Sequence, residues 1–336
     1  MKYLNLRKKL LMVLIVTFVT YFPVKASHLM GGEITWTCIT DPGPTQGMYI
    51  FTLKVYSDCN GININQTTQS IIVHNHNTVF SINTDLVLGA PFDISPDCDP
   101  INSGNIQMTC LNPQQGSVQE YVYVSQPVFL GGIPPAIGWH FTWDECCRNA
   151  AITNGFANEG FTLRAVMYPY TVAGVAQNTS PCFDSSPQFN EQPKTIICIG
   201  YPFSYSHNAS DPELDSLVYD WADVLDDGVY NPAAPVTLPF SAPYTTISPI
   251  PGNPTLNPAT GEISYFSNTS GNFVTCVKVS AFKCGQLVAE VYREIQVVLL
   301  ACPPLATGAP NTPPEVVPTF AGGTSYFLSV TAGTLV

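Results

Sequence analysis

Asp211-Pro212-Glu213-Leu214-Asp215-Ser216-Leu217-Val218-Tyr219-Asp220-Trp221 joins a tight acidic turn to a run with Leu217, Tyr219 and Trp221 at alternate positions. Side chains on a strand point to opposite faces in turn, so an apolar residue at every second position predicts a half-buried β-strand. Asp-Pro and Asp-Ser are turn formers, their side chains satisfying nearby backbone amides. Carboxylates at alternate positions of such a loop, Asp211, Glu213 and Asp215, can also converge on a hard cation, and Ca²⁺ suits that donor set. An EF-hand is excluded: it needs Gly at the sixth loop position and Glu at the twelfth, where this chain has Ser216 and Ala222.

Moving outward, the same alternation recurs downstream. Phe273, Thr275, Val277 and Val279 share one face of a run over 273–282, and Val291, Ile295, Val297 and Leu299 share one face of a run over 287–300. Lys283-Cys284-Gly285-Gln286 joins them as a hairpin. Upstream, Ile34, Trp36 and Cys38 alternate before the turn Asp41-Pro42-Gly43-Pro44, and Tyr49, Phe51, Leu53 and Val55 alternate after it, which predicts a second hairpin. Further strands are expected over 70–74, 120–124 and 160–167. Gly138 to Asn149 places Trp139, Phe141 and Trp143 on one strand face and ends at the vicinal pair Cys146-Cys147. No stretch repeats apolar residues with helical spacing, so the chain is expected to be all-β, built as tandem sandwiches.

The ends frame this core. Lys2, Arg7, Lys8 and Lys9 precede an apolar run from Leu10 to Phe22, and Val24-Lys25-Ala26 has small residues where a signal peptidase needs them. Residues 1–26 therefore read as a signal peptide. The run falls short of the roughly 20 residues a membrane span needs, and no later segment reaches that length. A polar, Pro-rich stretch over 181–193 suggests a boundary, giving domains at 27–188 and 189–302. Six prolines over 303–318 read as an extended linker, and 324–336 as the start of a further module.

Residues 1–26 hold five of the 12 basic residues and none of the 24 acidic ones, which leaves 7 basic against 24 acidic and a net charge near −17. Such a surface excludes nucleic acid as a partner, because a phosphate backbone demands basic side chains. Eleven cysteines in an exported chain point to disulfides rather than metal thiolates. Local pairs are expected between Cys38 and Cys59, between Cys98 and Cys110, and between Cys302 and either Cys182 or Cys198. Cys146 and Cys147 are expected to bond two different partners, since neighbours on a strand face opposite ways.

Several motifs together carry a resemblance: Gly31-Gly32-Glu33-Ile34-Thr35-Trp36, Val55 to Gly61, Cys146-Cys147-Arg148-Asn149, Asp211 to Tyr219, Thr260-Gly261-Glu262-Ile263, and Val291-Tyr292-Arg293-Glu294-Ile295-Gln296 leading to Cys302. With these the chain resembles the N-terminal region of large exported surface proteins of gliding, Bacteroidetes-type bacteria, and residues 189–302 resemble a cadherin-like or PKD-like immunoglobulin-type repeat. The resemblance implies type IX secretion to the cell surface and a role in adhesion or gliding motility, with surface or extracellular polymers or proteins as partners. It adds Asp226 or Asp227 as helpers of a cadherin-like cation site.

The expected function is accordingly non-catalytic: a secreted, rigid binding or spacer region. Three other chemistries have residues to offer. Trp139, Trp143, Tyr168 and Tyr170 could stack on sugars as a polysaccharide-binding module. His74 and His76 share a strand face and could chelate a transition metal. Cys146 or Cys147 with His140 could form a thiolate nucleophile. A glycoside hydrolase would need two opposed carboxylates, and no pair among the 24 acidic residues is singled out for that role.

Overall fold

A computed structural model of the protein describes residues 29–61, 63–96, 108–113, 116–178, 183–226 and 228–302. The expected signal peptide, Cys98, Cys182, Asp227 and the segment 303–336 lie outside them. The described residues are all β, with nineteen strands and no helix, so among them no helix is long and apolar enough to cross a membrane.

In the first half the strands are β1 (Leu29–Cys38), β2 (Tyr49–Asp58), β3 (Thr68–His74), β4 (Ser81–Leu86), β5 (Phe92–Asp93), β6 (Val118–Ser125), β7 (Trp139–Glu145), β8 (Phe161–Met167), β9 (Thr171–Val172) and β10 (Val175–Ala176). The second half adds β11 (Gln188–Phe189), β12 (Ile196–Cys198), β13 (Pro202–Ser206), β14 (Ala209–Ser210), β15 (Ser216–Trp221), β16 (Thr255–Leu256), β17 (Glu262–Phe266), β18 (Gly271–Lys283) and β19 (Gln286–Leu300). Each alternating run of the sequence is a strand here. The turn between β18 and β19 is also as expected: Cys284 (φ 49°) and Gly285 (φ 80°) both take positive φ, as the two central residues of a type I′ hairpin must.

β19 organises the whole. β18 lines one edge along its length, while three strands share the other edge end to end: β8 at 289–291, β1 at 293–295, and the parallel β12 at 298–300. Because β8 and β1 both meet β19, the path β1-β2-β6-β4-β3-β7-β8-β19 returns to its start. The three-stranded sheet β13-β17-β16 contributes Ile263, Tyr265, Phe203 and Leu256 to the same hydrophobic core as Tyr219, Phe273, Val277 and Ile295. Strand pairing thus joins the two stretches that the sequence divides at residue 188, and one continuous core runs through both.

Two buried ion pairs lock this junction. Arg293 and Glu294, neighbours on β19, face opposite sides of the sheet, and each meets a first-half partner. Arg293 binds Glu33 of β1 through both Nε and Nη2, the latter at 3.0 Å, and donates to the Glu191 carbonyl. Glu294 accepts from Arg148 Nε at 2.8 Å and Nη2 at 2.9 Å. Gly31 lets β1 come this close, since a Cβ there would run into the Glu294 carbonyl oxygen. The motifs around Gly31, Arg148 and Arg293 are therefore parts of one joint.

The disulfides differ in part from expectation. Cys198 bonds Cys302, one of the two options for Cys302. Cys59 bonds Cys110, which rules out both Cys38–Cys59 and Cys98–Cys110. Asp93 accepts from the Cys110 amide at 2.7 Å and the Cys59 amide donates to the Ser117 carbonyl at 3.0 Å, so Cys110 lies beside the end of β2. Cys38 is disulfide-bonded as well. Cys146 and Cys147 bond each other. The alternation rule fails for them because β7 ends at Glu145, leaving the pair beyond the strand. Among the described residues Cys276 and Cys284 are free thiols.

Candidate functional site

The acidic turn sits where three parts of the chain meet: the end of β1, the start of β15 and the tip of the β18–β19 hairpin. Asp211 Oδ1 accepts from the amides of Glu213 and Asp215, both at 3.0 Å, which is the Asx-type turn its residue types favour. Glu213 reaches away to the segment after residue 182, accepting from the Ser185 amide (3.0 Å) and hydroxyl (2.9 Å). Ser185 in turn accepts from the Cys38 amide at 3.0 Å, and Ser186 pairs with the Trp36 backbone. The described part of the stretch where the sequence suggests a domain boundary is thus a strap pinned along β1 at Ser185 and Ser186.

Lys283, the last residue of β18, closes the cluster. Its Nζ lies 2.6 Å from Asp215 Oδ2 and 3.3 Å from Asp184 Oδ1. The ladder explains the meeting: Ser216 of β15 faces Phe282 of β18, so Asp215 and Lys283 are the next cross-strand neighbours. Asp184 is fully buried, at 0% exposure, and among the described residues no hydrogen-bond donor other than Lys283 approaches either of its oxygens. Burial disfavours its charged form, and the neighbouring carboxyl groups of Asp215, Asp211 and Glu213 add to the effect, so its pKa is pushed up to about 9 despite the opposing pull of Lys283. Burial alone would lower the pKa of Lys283, but the bond to Asp215 and the charge of Asp184 outweigh it and hold it above the ordinary lysine value. Burial likewise raises Asp211.

The structure brings Asp211, Glu213 and Asp215 together, yet each is already engaged with an amide, a hydroxyl or an ammonium. Among the described residues no group of three or more His, Cys, Asp or Glu side chains is arranged to hold a metal ion. Asp226 is elsewhere, accepting from the Gly160 amide at 2.9 Å. Sequence reasoning missed Asp184, hidden in a polar Pro-rich stretch, and Lys283, hidden in a hairpin turn.

The other candidates separate. His74 Nε2 bonds Thr142 Oγ1 at 2.8 Å, whereas His76 Nδ1 accepts from the amides of Thr78 and Val79, so the two imidazoles do not form a chelating pair. His140 is held by Tyr230 Oη and the Ile137 carbonyl, both at 2.7 Å, and Cys146 and Cys147 are spent on their mutual bond. Trp139 and Trp143 are buried at 4% and 2% exposure, with the Trp143 indole donating to Gln69 Oε1 at 3.0 Å; their faces fill the core and are closed to sugar. Tyr168 donates to Glu290 Oε2 at 2.7 Å.

No family model matches the chain, and no curated protein is similar to it.

Proposed function

We propose that this chain is a non-catalytic, exported region of a cell-surface protein that works mechanically, holding a binding surface away from the cell in adhesion or gliding motility. Its partners on this reading are surface or extracellular polymers or proteins, reached by the type IX route that the sequence resemblance implies. The second half acts as a cadherin-like or PKD-like sandwich that shares β19 with the first.

The observation that carries the proposal is the Cys198–Cys302 bridge. It closes the second half where the Pro-rich segment begins, beside the parallel pairing of β12 with the end of β19. A pull arriving through that segment crosses the bridge to Cys198 and bypasses residues 199–301, so the second half stays folded under load. The two buried Arg–Glu pairs then resist separation of the halves. Calcium enters this reading only as a competitor of Lys283 for Asp215.

The test is deletion of the segment encoding residues 29–302 from the producing cell, with export signal and downstream sequence kept. Loss of surface attachment or gliding is expected, and unchanged attachment and gliding would reject the reading.

A further inference from the structure

We propose that Lys283 and Asp215 become covalently joined by an amide bond between their side chains, formed by the folded protein itself with Asp184 as the catalytic acid and base. The proposal stands independently of the adhesive reading above.

Three observations carry it. Lys283 Nζ lies 2.6 Å from Asp215 Oδ2, so nucleophile and acceptor are already in contact, held there by the β15–β18 ladder. Such pre-positioning supplies much of what makes an amide slow to form between free groups. Second, Asp184 Oδ1 is 3.3 Å from the same Nζ that contacts Asp215 Oδ2, so one ammonium gathers both carboxyls around the reacting atoms. Third, Asp184 is fully buried and has no donor besides Lys283 among the described residues. A buried carboxyl lacking donors keeps its proton, and a group that can give and take back one proton is what the step needs.

The chemistry balances without any co-reactant. The Lys283 ammonium passes one proton to the Asp215 carboxylate, and the resulting amine attacks Asp215 Cγ. Asp184 gives its proton to the developing oxyanion and takes one from the attacking nitrogen. It then protonates a departing hydroxyl and recovers its own proton from the remaining one. One C–N bond forms, one C–O bond breaks, and one water leaves; nothing is oxidised or reduced.

The product would staple the start of β15 to the tip of the terminal hairpin. The measurement is the intact mass of the folded full chain after reduction and denaturation, with peptide mapping. A mass lower by one water, and a branched peptide joining Asp215 to Lys283, are expected. Wild-type protein that remains at the uncorrected mass after prolonged incubation in the folded state would overturn the proposal. Lys283→Arg should restore the full mass. Asp215→Asn should still cross-link but lose ammonia instead of water, which no merely electrostatic role of the trio would produce. Asp184→Asn should keep the fold, checked by circular dichroism, and lose the cross-link; a folded Asp184→Asn protein that still lost water would remove Asp184 from the step.

Discussion

Replacing Glu294 with Gln tests the joint between the halves at its most buried point. The amide keeps the shape of the carboxylate but not its charge, and only its oxygen can accept from the Arg148 guanidinium. Arg148 is itself at 0% exposure, with Nη1 already lacking a partner and Nη2 also bound to the Leu225 carbonyl at 3.0 Å. An uncompensated cation is thereby left in the interior, which costs about 3–5 kcal/mol. Against a total stability of roughly 5–15 kcal/mol that is a large fraction. At about 2–4 °C per kcal/mol for a body of this size, the thermal midpoint should fall by roughly 6–20 °C. Denaturant unfolding followed by tryptophan fluorescence reads the change directly. The control is a double variant, Arg148→Met with Glu294→Leu, which removes both charges and should recover most of the loss, short of about 1 kcal/mol for the Leu225 hydrogen bond. A single variant costing under about 1 kcal/mol, or a double variant no better than the single, would refute the reasoning.

Other expectations follow from the acidic turn and the bridges. Asp184 has a folded pKa near 9 against an ordinary 3.8, so between those values the native state holds a proton the unfolded state has released; stability should fall as pH rises through that window, and Asp184→Asn should flatten the slope in a series of thermal melts. A Ca²⁺ titration against chelator should leave the midpoint unchanged, because Lys283 occupies Asp215; a rise at millimolar Ca²⁺ would instead establish the turn as a cation site. Cys198→Ser with Cys302→Ser opens a bridge spanning 104 residues and should cost about 4–5 kcal/mol on the chain-entropy estimate, read by denaturant midpoint under non-reducing conditions.

Much of the fold is legible in the sequence because period-two patterning reports directly on strands. The pattern of 273–282 and 287–300, with Gly285 between them, fixes the longest hairpin. What patterning cannot report is the partner across each edge. β19 shows the difficulty: Glu290, Tyr292, Glu294 and Gln296 look like a solvated face, yet all four are buried. The loop after β15 covers that side, placing Ala222 and Val224 against Tyr292 and Val166, and Arg148 neutralises Glu294. Near residue 188, likewise, composition reports a polar, Pro-rich stretch but not that Ser185 and Ser186 pin it to the backbone of β1. The candidate site was half legible. Asp211, Glu213 and Asp215 announce a turn, but Asp184 and Lys283 join them only through the register of β15 on β18 and the strap along β1, both set by distant contacts.

The central claim is that β19 makes one body of both halves, and the most direct measurement is the folding of residues 29–188 alone. Without β19, strands β1 and β8 lose their shared neighbour, and Glu33 and Arg148 lose Arg293 and Glu294. The isolated segment is expected to show no cooperative thermal transition, while residues 29–302 unfold in one. A segment 29–188 that melts cooperatively with native sheet content would contradict the account.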